Sequence, residues 1–150
     1  MKKSYSCIAV LMLSMLCWLS PGWVFAKAYT LRHASTTQPN VTVTKVEQTN
    51  TRTLIELQYQ TADGDKKVGV YPPGHDLAFY ITDLKKSKKY ALRQAKNVAF
   101  IPNETLIKEG ETHTFTLIFP KTQLKVFHLI EGSGQMVGGV PWHFSNVRLR

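Results

Sequence analysis

His128, Glu131 and His143 are the residues of this chain whose types could do acid–base or metal chemistry within a short stretch. A small hydrolase or metal-dependent enzyme would use the two imidazoles as bases or ligands and the carboxyl group as acid or third ligand. The spacing gives that chemistry little support. Histidines stand at 33, 75, 113, 128 and 143, without the i, i+4 or short paired spacing of metal sites, and two histidines do not make a site by themselves. His128 and His143 approach each other only if their strands pair across the glycine-rich segment between them. Glu131 closes an apolar run, where its carboxylate could accept backbone N–H groups or meet Arg148 from the neighbouring strand, a structural role. The enzyme using His128, His143 and Glu131 is kept as the alternative to a non-catalytic reading.

Between those histidines lies EGSGQMVGG, residues 131–139, directly after the strand-like VFHLI. Glycines after a strand suggest a phosphate-cradling loop, but a dinucleotide site also needs a following helix and a second strand with an acidic residue about 20 positions on. Only Val140 to Arg150 remain, and that tail itself reads as a strand. No dinucleotide and no other cofactor is expected. Gly132-Ser133-Gly134 is not a nucleophile elbow, because Glu131 and Gln135 occupy the positions where that motif has glycines. The segment reads as the connection of a final hairpin, with Glu131 on one rim and Trp142, a core anchor whose indole N–H needs a partner, on the other.

The strongest charge feature is Asp83-Leu-Lys-Lys-Ser-Lys-Lys-Tyr90, with Lys85, Lys86, Lys88 and Lys89 between two apolar runs. That placement predicts a hairpin tip. Its lysines either keep sheet edges apart in solution or, with Arg93 and Lys96 from the next strand, contact phosphate- or carboxylate-bearing surfaces in a salt-sensitive manner. Tyr80 and Tyr90 flank the run rather than interleave with it, so a single-stranded nucleic-acid platform is not expected. The binding residues read from the sequence are Lys85, Lys86, Lys88, Lys89 and Arg93.

Composition bounds the setting. MKKSYSCIAVLMLSMLCWLSPGWVFA has a basic start, a short apolar core and a small residue at Ala26, as a cleaved signal peptide over residues 1–26 would. Its apolar run is broken by Ser20-Pro21-Gly22, too early for a comfortable membrane span. Both cysteines, Cys7 and Cys17, lie in this leader, so the processed chain would have neither thiol nor disulfide and must rest on its core. A periplasmic or extracellular location follows, with no transmembrane segment after cleavage. The chain has 19 Lys and Arg against 10 Asp and Glu; without Lys2 and Lys3 the balance is 17 against 10, or +7, which favours a protein or an anionic envelope component as partner.

The elements that must position these residues are strands. Residues 27–40 form an N-terminal arm without periodicity, and a domain over 41–150 begins with VTVTKVEQ and TRTLIELQYQ, where Ile55, Leu57 and Tyr59 share one face. Ala62-Asp63-Gly64-Asp65 carries a hairpin-loop signal. KKVGVYP, LAFYITD, KKYALRQA, THTFTLIFP, QLKVFHLIE and PWHFSNVRLR follow, with Phe115, Leu117 and Phe119 on one face; NVAFIPNETLIKEG is the only place for a helical turn. Trp142 and Phe144 share one parity, Val147 and Leu149 the other. Either a bulge at about Ser145-Asn146 brings both pairs to one face, or they face opposite sheets. Seven or eight short strands without crossover helices predict an all-β fold, an antiparallel sandwich of two sheets.

The aromatic order Phe79-Tyr80-Ile81-x-Asp83, Tyr90-x-Leu92, Phe115-x-Leu117-x-Phe119, Phe127-x-Leu129-Ile130-Glu131-Gly132 and Trp142-x-Phe144-x-Asn146-Val147-x-Leu149 resembles an immunoglobulin-like module of secreted bacterial proteins. The likeness spans Val41 to Leu149 and implies an immunoglobulin-like sandwich acting as a binding or accessory module, with no catalytic residue to carry over. The lysine-rich tip departs from the module's usual short Gly-containing hairpin.

Overall fold

The computed structural model describes residues 26–29, 31–32, 35–132 and 141–150. The leader up to residue 25 and segment 133–140 of the glycine-rich connection lie outside the described residues, so the signal-peptide expectation and the path of that connection are not addressed by the fold. The strands, in chain order, are β1 (Lys27–Tyr29), β2 (Leu31–Arg32), β3 (Ser35–Thr36), β4 (Val41–Gln48), β5 (Arg52–Gln60), β6 (Lys66–Val70), β7 (Phe79–Thr82), β8 (Lys89–Ala91), β9 (Gln94–Lys96), β10 (Ala99–Phe100), β11 (Thr105–Ile107), β12 (Thr112–Pro120), β13 (Val126–Glu131) and β14 (His143–Leu149). No helix occurs among the described residues, and seven of these strands have four or more residues.

Two antiparallel sheets enclose the core. One runs β1-β4-β5-β12-β9; the other runs β2-β14-β13-β7-β8, with β3 also on β14. A third, small sheet, β10-β6-β11, contains a parallel pair between β10 and β6. Period-two alternation explains the core: Val41, Val43, Ile55, Leu57, Phe115, Leu117 and Phe119 from the first sheet meet Phe79, Ile81, Phe127, Leu129, Phe144 and Val147 from the second, all buried. Each such side chain contributes roughly 2 kcal/mol through removal from water.

The arm is part of the sandwich: β1 pairs with β4 on one sheet, and β2 and β3 pair with β14 on the other. Gly64 does take positive φ (66°), but the turn closes no hairpin, because β6 leaves β5 for the small sheet. Thr61 explains the departure, its hydroxyl donating to Lys108 O at 2.6 Å, while the Glu109 amide donates to Asp65 Oδ1 at 3.0 Å. The segment allowed a helical turn instead places β10 and β11 on either side of β6. KKYALRQA is not one strand: the Leu92 amide donates to Phe79 O, the Arg93 amide to Ile118 O, and the chain changes sheets between them.

The bulge alternative near the C-terminus holds. Phe127 pairs with Val147 and Leu129 with Phe144, so three steps on β14 match two on β13. Asn146 absorbs the extra residue at φ 55°, and Phe144, Val147 and Leu149 all face inward.

Candidate functional site

The β7–β8 hairpin presents the lysine tip as expected. Asp83 builds it: its Oδ1 accepts from the Ser87 amide at 2.6 Å and the Lys88 amide at 3.1 Å, its Oδ2 accepts from the Ser87 hydroxyl at 2.5 Å, and its carbonyl accepts from the Lys86 amide at 2.9 Å. Lys86 sits at φ 55° to close the turn. The Ser87 hydroxyl first, then the Lys88 amide, hold the Asp83 carboxyl below its ordinary pKa. One aspartate therefore spends its acceptors on backbone and hydroxyl, leaving the lysines without a carboxylate of their own loop.

Lys85, Lys86, Lys88 and Lys89 are all exposed. Among the described residues the ion pairs are Lys45–Glu47 (3.2 Å) and Lys67–Glu104 (4.0 Å), and neither involves the tip. The side chains diverge. Lys89 lies over the Tyr80 ring, 4.2 Å from its centroid, a cation–π contact on the outer face of the sheet. Lys86 is near enough to the paired histidines of β13 and β14 to disfavour their protonation. Lys88 instead lines a groove of about 430 Å³ with Tyr90, Lys121, Gln123 and Leu124. Arg93, grouped with the tip in the sequence reading, is exposed at the sheet crossover beyond the opposite end of β8 and does not join the tip lysines.

His128 and His143 do come together, with ring centroids 5.7 Å apart and edge to face. The Asn146 amide donates to His128 Nδ1 at 3.4 Å, and Ser145 Oγ lies 3.2 Å from His143 Nε2. Partial burial chiefly lowers both imidazole pKa values; Lys86 lowers them further, the neighbouring His128 adds to the effect at His143, and Asp83 opposes it at His128.

Glu131 does not join them. On β13 the buried residues are Phe127, Leu129 and Glu131, while Val126, His128 and Ile130 face outward, so the carboxyl group and the histidine pair lie on opposite faces of the sheet. The constellation required by the hydrolase alternative is therefore not assembled. Nor does Glu131 meet Arg148, which pairs with Val126 at the other end of the ladder. Its partner is backbone: the Trp142 amide donates to Oε2 at 3.2 Å, and the Glu131 amide donates to Trp142 O at 2.8 Å. Burial, only partly offset by that amide, pushes the Glu131 pKa up to about 7. Trp142 is the core anchor expected of it, its ring 6.0 Å from Tyr59, 6.0 Å from Phe79 and 6.1 Å from Phe115, so it spans both sheets.

Lys121 and Gln123 were not singled out in the sequence, although KTQLK at 121–125 repeats the signal that marked the tip: lysines on a connection between two apolar strands. Among the described residues no cluster of three or more His, Cys, Asp or Glu side chains is arranged to hold a metal ion. No described helix is long and apolar enough to cross a membrane.

The fold and site define an all-β sandwich that carries a braced basic hairpin tip beside a histidine pair. Comparison with known proteins adds no relative: no family model, no curated protein and no solved structure matches the chain.

Proposed function

We propose that this protein is a secreted or periplasmic, non-catalytic binding module of immunoglobulin-like type, which contacts a protein or an anionic envelope component through Lys85, Lys86, Lys88 and Lys89. The observation that carries the reading is the Asp83 brace. It holds four exposed lysines on a defined turn with its carboxylate bonded to backbone and hydroxyl rather than ion-paired to a lysine, so the loop keeps an excess of positive charge over its single aspartate. Positive charge held on a short, ordered tip attracts anions without the full entropic cost of ordering a loose chain. Arg93 falls outside this contact because the chain has left the sheet by that point.

Retention of the purified protein on an anionic matrix tests the reading. The variant with Lys85, Lys86, Lys88 and Lys89 all changed to Ser should elute at distinctly lower salt than the parent, with unchanged thermal stability. Equal elution of the two proteins overturns the lysine-tip contact.

A further inference from the structure

The groove beside Lys88 has walls fixed independently of each other. On one side, the Lys88 amide is tied to Asp83 Oδ1, and Tyr90 follows two residues later in β8, its ring packed against the core. On the other side stands the 121–124 connection between β12 and β13. Thr122 is buried there: its amide donates to Thr53 Oγ1 at 3.1 Å, the two hydroxyls lie 3.2 Å apart, and Gln48 Nε2 donates to Thr122 Oγ1 and Leu124 O, both at 3.1 Å. Thr122 is pinned inward, and Lys121 and Gln123 on either side of it are exposed.

The result is a groove of about 430 Å³ whose lining is Lys88, Tyr90, Lys121, Gln123 and Leu124. The groove is open to solvent along much of its extent, so it can take the end of a ligand rather than enclose one. Two lysines from separate elements line it, and among the described residues no Asp or Glu does. Neither lysine has an ion-pair partner among the described residues. Gln123 and the Tyr90 hydroxyl add neutral donors and acceptors, while the Tyr90 ring and Leu124 supply apolar surface.

We infer that this groove is a binding site for a phosphate monoester carrying an apolar or ring-shaped substituent, with Lys88 and Lys121 shared across the phosphate and Tyr90 and Leu124 against the substituent. Charge decides the ligand class. A phosphate monoester carries about −1.5 to −2 at pH 7 and matches two lysines, whereas a carboxylate leaves one of them uncompensated. The inference rests on the basic-tip reading, and it moves part of the recognition from the tip to a residue of the opposite sheet connection.

The test uses protein purified from cells expressing the full chain and titrated with phenyl phosphate at low ionic strength, with benzoate as the singly charged control. Phenyl phosphate should bind more tightly than benzoate. Lys121→Ala and Lys88→Ala should each weaken it by about tenfold, as loss of a charge-assisted contact does, while Lys67→Ser, on β6 of the small sheet, leaves it unchanged. Binding to vesicles of phosphatidylcholine with phosphatidic acid, lost in Lys121→Ala, assigns the phosphate to a lipid headgroup; binding of phenyl phosphate without vesicle binding assigns it to a soluble ester. Both uphold the site. Affinity insensitive to Lys121→Ala, equal affinity for benzoate, or no binding of either probe overturns it. If matrix retention still depends on the four tip lysines while Lys121→Ala has no effect, the groove fails and the tip contact stands.

Discussion

Glu131 and the histidine pair have opposite pH signatures because burial disfavours the charged form of each, which is the deprotonated carboxylate of Glu131 but the protonated imidazole of His128 and His143. The Glu131 carboxyl is protonated more readily in the fold, at about 7, than in the unfolded chain, at an ordinary value near 4.5. Its most favourable contribution is therefore present below the unfolded value and is lost as pH rises through about 7. His128 and His143, with pKa values lowered from 6.5, behave inversely: their contribution is present above 6.5 and is lost as pH falls through their folded values. The variant Glu131→Gln isolates the first effect, since the histidine titrations cancel in the difference and an amide oxygen can still accept from the Trp142 N–H. It should match the parent near pH 4 and become the more stable protein by up to roughly 3 kcal/mol at pH 8, read from urea unfolding at both pH values. A difference that does not grow with pH would show that burial does not hold this carboxyl in its neutral form. Glu131 was legible in the sequence as an unusual acid at the end of an apolar strand; its choice of the Trp142 backbone over Arg148 was not, because partner choice depends on which end of the β13–β14 ladder each residue occupies.

At the scale of the element, the bulge in β14 lets one strand serve two parities of inward residues. Trp142 packs with the core and Phe144 is buried before the bulge, Val147 and Leu149 after it, and Asn146 accommodates the extra step with positive φ. Asparagine tolerates that conformation far better than a β-branched residue does. Asn146→Val should therefore lower unfolding stability by about 1–2 kcal/mol, whereas Asn146→Gly should stay within roughly 0.5 kcal/mol of the parent; equal loss in both would locate the effect in the side chain instead. The conflict of parities was visible in the sequence, but its resolution needed the register against β13. The split of KKYALRQA into β8 and β9 was not visible at all. Leu92 reads as one more apolar residue of a strand, yet its amide and that of Arg93 bond to different sheets. Local alternation carries no information about which neighbour supplies the hydrogen bonds.

Over the whole molecule, β1, β2 and β3 act as a seam. β1 lies outside β4 on one sheet, and β2 and β3 cover β14 on the other. A chain beginning at Thr37 exposes the unpaired backbone of β4 and β14, the kind of edge that templates association. It should melt at least about 5 °C lower and show concentration-dependent oligomers by light scattering; a monomer with unaltered Tm would make the arm dispensable. The sequence by itself determined the all-β class, the positions of the long strands, the inward sets such as Phe115, Leu117 and Phe119, and the hairpin tip. Each follows from side-chain alternation and turn chemistry within a few residues. Only the tertiary structure decided that the arm belongs to both sheets, that β6 joins a separate small sheet, that Glu131 and His128 face apart, and that Lys88 and Lys121 border one groove. Those outcomes depend on pairing between segments far apart in the chain, where the hydrogen-bonding backbone is the same at every residue and the choice is made by packing of the whole.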